Sequence, residues 1–88
     1  RVKGESMKDD GILPGDLVVV RKQGTARNGQ TVVALVNNEA TIKKYYRKDG
    51  RIELHPANAA MKPIVVLAQD EFSIQGIVAG VIRHFNES

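Results

Sequence analysis

Short runs of β-branched and apolar residues, each closed by a turn dipeptide, set the strongest limit on how this chain can fold. Residues 17–22, 31–36, 40–47, 51–55, 64–67 and 72–83 are such runs, separated by Pro14-Gly15, Asn28-Gly29, Asn37-Asn38, Asp49-Gly50 and the prolines Pro56 and Pro63. No stretch keeps a helical period through three turns. The pattern predicts a mostly β chain of six strands, compact and folded up into antiparallel sheets, with at most short helical turns.

Two of the turns predict which residues face each other. A two-residue loop fixes the register of a hairpin, and Asp-Gly is among the strongest such signals. With Asp49-Gly50 as the loop, Arg47 lies opposite Ile52, Tyr45 opposite Leu54 and Lys43 opposite Pro56, all on one face. Lys44, Tyr46, Glu53 and His55 share the other. If Asn37-Asn38 is an equally tight turn, Lys43 also lies opposite Val32 and shares its face with Thr41, Ala34 and Val36. A longer loop would reverse that assignment.

The chain has 88 residues, enough for one domain over 1–88 and one modest core. It has no cysteine, so disulfides and thiolate metal sites are excluded, and a reducing compartment such as the cytoplasm is expected. No apolar run approaches a membrane span. Thirteen basic and ten acidic residues give a net charge of +3, and they are interspersed except for the run at 43–48, which reads as a strand with one solvated face. With two Phe, two Tyr and no Trp, the chain has no aromatic platform for stacking on a single-stranded nucleic acid.

Two residues carry candidate chemistry. A lysine held on an apolar face is costly to keep charged, and its neutral amine is a base that can take the proton of a serine hydroxyl. Lys43 is placed for that role; against it stands the common habit of strand lysines to extend their tips past apolar neighbours into water. Ser6, in Gly4-Glu5-Ser6-Met7-Lys8-Asp9, is the serine candidate. The tetrapeptide Ser6-Met7-Lys8-Asp9 also fits a helix cap, with Asp9 three residues after Ser6, and local sequence by itself favours the cap. His55 and His84 are isolated and lack the spacing of a metal pair or a triad. Asp9, Asp10 and Asp16 lie beside Gly and Pro and read as turn and cap residues; no metal and no cofactor are expected.

The ordered set of segments resembles the LexA family along nearly the whole chain. Gly4-Glu5-Ser6-Met7 is similar to that family's nucleophile motif, and Gly11-Ile12-Leu13-Pro14-Gly15-Asp16-Leu17-Val18 to the turn and strand that follow. Arg27-Asn28-Gly29-Gln30, Val32-Val33-Ala34, Ala40-Thr41-Ile42-Lys43-Lys44, Leu54-His55-Pro56-Ala57-Asn58, Lys62-Pro63-Ile64-Val65-Val66 and Gly80-Val81-Ile82-Arg83 continue it in order. The resemblance implies the LexA and signal-peptidase type of β fold. It also implies a serine endopeptidase activity that cuts the protein's own upstream segment, with Ser6 as nucleophile, Lys43 as general base, and the main-chain N–H groups of Glu5 and Ser6 as oxyanion donors.

As partners the resemblance implies a second copy of the chain and, as activator, a RecA filament on single-stranded DNA. Operator DNA is expected to be reached only through an amino-terminal domain that these residues lack, and the cleavage segment is expected upstream of Arg1. Ala79-Gly80 has the composition of a scissile pair but falls in the last apolar run, where it reads as core. The run at 72–83 is expected to offer a sheet edge for pairing with another copy. The alternatives are a UmuD-like mutagenesis protein or a phage repressor domain acting mainly as a dimerisation module; a signal-peptidase relative is a further one.

Overall fold

The computed structural model describes residues 1–84. Its strands are β1 (Leu17–Lys22), β2 (Thr31–Val36), β3 (Glu39–Lys48), β4 (Arg51–His55), β5 (Ile64–Val66) and β6 (Phe72–Ile82). Every run expected to be a strand is one, with bounds displaced by at most a residue. The only helical element among the described residues is a 3-10 turn at Lys8–Asp10. All six strands form one antiparallel sheet in the order β1-β6-β2-β3-β4-β5.

Both two-residue hairpin loops form. Asn37 and Asn38 have φ of 50° and 67°, and Asp49 and Gly50 have φ of 53° and 74°, the left-handed conformation that such tight loops require at both positions. The resulting registers place Val32 opposite Lys43, Thr31 opposite Lys44, Tyr45 opposite Leu54 and Arg47 opposite Ile52. Local turn chemistry therefore puts Lys43 on the face that carries the main core of Val32, Ala34, Tyr45, Leu54 and Ile77. A second, smaller core of Val2, Met7 and Ile12 packs against Val18, Ile42 and Ala57 and holds the segment before β1 onto the sheet.

The last strand is not an edge as expected. β6 pairs with β2 over residues 72–77 and with β1 over residues 76–82, so it passes from one neighbour to the other in mid-strand. The long-range pairings decide this, and no local signal encodes them. At the crossing β1 presses on Gly76, where an added Cβ would clash with Val20 Cγ1 and stand 2.6 Å from the Arg21 carbonyl oxygen. Only glycine fits there without movement of backbone. Beyond the crossing, residues 78–82 keep one side free of strand partners among the described residues.

Ala79-Gly80 lies in that part of β6, as its sequence suggested, but it is not core. Ala79 is exposed and falls at a register shift, Val20 pairing with Val78 and Val19 with Gly80. The extra residue bulges, which leaves its side chain without a place in the interior.

Candidate active site

Ser6 sits on a tight turn between Gly4, with φ of 74°, and the 3-10 helical residues. What anchors this turn is Met7, 2% exposed, whose carbonyl accepts from the N–H groups of Asp10 and Ile12. The turn is also tied to the loop after β4. Asp9 N–H donates to the Ala57 carbonyl at 2.7 Å, Ala59 N–H donates to Asp9 Oδ2 at 2.8 Å, and Asn58 Nδ2 donates to the Glu5 carbonyl at 2.8 Å. A three-residue helical turn is marginal by itself, so these tertiary bonds fix its position.

The cap reading of Ser6 is not realised. Met7 occupies the cap position, no side chain caps the turn, and the Ser6 hydroxyl instead lies 3.0 Å from Lys43 Nζ. The amine is also 2.7 Å from Thr41 Oγ1, two residues back on the same face of β3. Lys43 is 7% exposed, so its tip does not extend into water. Burial strips water from the ammonium and holds the pKa of Lys43 below the ordinary lysine value.

These three side chains leave few choices for the protons. A neutral amine has two N–H bonds and one lone pair. Donation from Nζ to Thr41 Oγ1 leaves the lone pair free to accept the Ser6 O–H. The arrangement is therefore able to deprotonate the serine once the amine is uncharged. A cleft lined by Val18, Val20, Val33 and Ile42 also takes in Ser6 and Lys43.

The N–H groups of Glu5 and Ser6 make no hydrogen bond among the described residues, although the turn around them is densely bonded. The three aspartates serve the scaffold. Asp16, 2% exposed, accepts from Leu13 N–H at 2.7 Å, as a turn residue does, and also receives the Arg83 fork at 2.8 Å and 2.7 Å. The Arg83 hydrogen bonds, helped by that of Leu13, lower its pKa to about 2. Arg83 reaches the Gly11 carbonyl as well, joining the end of β6 to the loop that follows Ser6. Asp10 pairs with Lys44 at 3.2 Å. Sequence reasoning did not find the Asp16–Arg83 pair, because 67 residues separate its members and neither lies in a motif that announces a partner.

His55 lies 2.9 Å from Glu53 and edge-on to the Tyr46 ring. No group of three or more His, Asp or Glu side chains among the described residues is gathered as a metal site would require. No helix among them is long and apolar enough to cross a membrane.

Comparison with known proteins agrees with this architecture. Residues 1–79 match the family described as Peptidase S24-like, and the chain belongs to that family. It is 61% identical over 88 residues to the LexA repressor of Syntrophotalea carbinolica, covering all of this chain and 44% of the relative. It is 52% identical over 83 residues to the LexA repressor of Bordetella pertussis, covering 94% of this chain and 38% of the relative. With the LexA repressor of Clostridium novyi the identity is 47% over 85 residues, covering 97% and 41%. The chain thus spans less than half the length of the curated relatives it matches.

Proposed function

We propose that this domain is the self-cleaving serine peptidase domain of a LexA-type repressor of the DNA-damage response, working in the cytoplasm. The observation that carries the reading is the 3.0 Å approach of Ser6 Oγ to the amine of a lysine that is 7% exposed. Neutral Lys43 takes the Ser6 hydroxyl proton as Oγ attacks a peptide carbonyl in the protein's own upstream segment. The N–H groups of Glu5 and Ser6 receive the oxyanion, each such donor being worth roughly 3 kcal/mol. Collapse breaks the C–N bond, Lys43 returns its proton to the leaving amine, and water then hydrolyses the ester on Ser6.

A substrate in the same chain arrives at an effective concentration on the order of 10⁵ M when aligned, so alignment is the control point. A RecA filament on single-stranded DNA, in this reading, shifts the cleavage segment toward its docked state and supplies no catalytic group. The valine and isoleucine wall of the cleft suits a segment of small apolar residues. Operator binding belongs to a part of the repressor outside these residues.

The test is a chain that carries its upstream segment, incubated at alkaline pH without other protein. Cleavage upstream of Arg1 is expected, and it should be abolished by Ser6→Ala and by Lys43→Ala. Equal cleavage in the Ser6→Ala chain refutes the assignment.

Self-association is the second part of the reading, and one surface favours it. The ribbon of β1 and residues 78–82 leaves Leu17, Val19, Val20, Val81 and Ile82 each at least 40% exposed. A two-stranded ribbon with so much apolar surface suits pairing with its own copy.

A further inference from the structure

We infer that Asn58 is a positioning residue for the oxyanion site, acting through the peptide that joins Glu5 to Ser6. The inference rests on the Ser6–Lys43 reading above and names a residue that this reading does not use. Asn58 is 9% exposed, and both ends of its side chain are engaged: Oδ1 accepts from Ala60 N–H at 2.9 Å, and Nδ2 donates to the Glu5 carbonyl at 2.8 Å. The first bond fixes the amide from its own loop. The second then aims a fixed donor at one backbone oxygen 53 residues away.

In a trans peptide the C=O and the following N–H point in opposite directions, and no peptide bond here is cis. Holding the Glu5 carbonyl toward Asn58 therefore turns the Ser6 N–H away from that loop. That N–H has no acceptor of its own among the described residues. The Lys8 N–H also reaches the Glu5 carbonyl, but at 3.2 Å and from within the same short turn, so it moves with whatever moves the turn. Asn58 supplies the external reference. It sets the plane of the one peptide unit whose N–H must face the developing negative charge.

Position matters more than contact count in such a site. Donors must be aimed at the place the oxyanion will occupy, and a misplacement of about 1 Å can cost about 100-fold in rate. Lys43 and its proton chemistry are reached from a different direction, through β3 and Thr41. Loss of the Asn58 donor should therefore lower the rate while leaving the titration of the amine where it was.

The experiment uses this 88-residue chain and a fluorophosphonate, with phosphonylation of Ser6 followed by mass spectrometry as a function of pH. The unaltered chain should react at Ser6, faster as pH rises, and Lys43→Ala should suppress the reaction. Asn58→Leu is close in size and adds no charge; it removes the donor, along with the acceptor for Ala60. Its plateau rate is expected to fall about 100-fold with the pH midpoint unchanged. A plateau equal to that of the unaltered chain, or a shifted midpoint with an unchanged plateau, overturns the role given to Asn58. Failure of the unaltered chain to react at Ser6 overturns the Ser6–Lys43 reading instead, and this inference with it. Should Asn58→Leu not fold, nuclear magnetic resonance of the unaltered chain decides. On phosphonylation the Ser6 amide proton should move downfield while the coupling across the Asn58 Nδ2 to Glu5 carbonyl hydrogen bond persists. A Ser6 amide that ignores the adduct, or the absence of that coupling, rejects the proposal.

Discussion

Thr41 Oγ1 lies 2.7 Å from the amine of Lys43, closer than the Ser6 hydroxyl at 3.0 Å. The threonine takes up one N–H of a neutral amine and so orients its lone pair. The reactive form is the uncharged one, and burial favours it by lowering the pKa of Lys43. Self-cleavage by a chain with its upstream segment is accordingly expected to rise with pH and to level off below the ordinary lysine pKa, where the amine is neutral. Thr41→Val, which deletes the acceptor and keeps the shape, should lower the plateau about fivefold, in line with the loss of a net hydrogen bond of about 1 kcal/mol. A rate that stays flat from neutral to alkaline pH would count against Lys43 as the base.

Burial of that amine also weakens the fold. A lysine whose folded pKa lies below its unfolded value binds its proton less readily in the folded state, so stability rises with pH through that interval. The penalty is complete below the folded pKa, shrinks as pH rises through the interval and disappears above the unfolded pKa. Lys43→Met is therefore expected to raise Tm by several degrees at pH 7, with the gain vanishing near pH 11. Thermal unfolding of both proteins across pH measures this directly.

Asp16 carries the opposite sign. Its carboxyl, held at about 2 by Arg83 and the Leu13 N–H, contributes stability that is complete above the ordinary aspartate value of 3.8 and is lost as pH falls toward 2. Asp16→Asn should lower Tm at pH 7, and the difference from the unaltered chain should shrink through that acid window. Circular dichroism melts between pH 2 and pH 7 provide the check, and a constant difference would refute it.

At the strand crossing, Gly76→Ala should cost at least roughly 1–3 kcal/mol, because the nearest backbone atom, the Arg21 oxygen, cannot turn aside as a side chain can. Urea unfolding should show a lower midpoint. Alanine at Gly80, where the nearest atom is 3.8 Å away, should be far milder and serves as the comparison.

On the outer ribbon, Leu17 stands directly opposite Ile82, and the two are 41% and 51% exposed. Leu17→Lys together with Ile82→Lys should convert a self-associating chain to a monomer in sedimentation equilibrium while leaving Tm near its original value. Unchanged association would move the dimer surface elsewhere.

The features legible in the sequence were those written in neighbouring residues. Asp49-Gly50 and Asn37-Asn38 dictated two registers, and through them the face on which Lys43 sits. Ser6 was ambiguous for the same reason: four local residues spell a cap as well as a nucleophile, and the deciding partner is 37 positions away. Only the ordered likeness to a family supplied that distance. Asn58 went unnoticed as a functional residue because an asparagine in a loop after a strand looks like any turn former, and its bond to Glu5 depends on how two remote segments meet. The route of β6 was hidden in the same way. An apolar run announces a strand but not its neighbours.

That route has a bearing on how the chain is made. Among the described residues β1 pairs with β6 alone, and β2 also needs β6 along one side, yet β6 is the last of the six strands to be synthesised. While the ribosome is still producing the residues between them, β1 is a strand without a partner. A nascent chain halted before residue 76 should consequently hold the β2-to-β5 hairpins at most, and the pocket wall formed by Val18 and Val20 should assemble only when the final segment emerges.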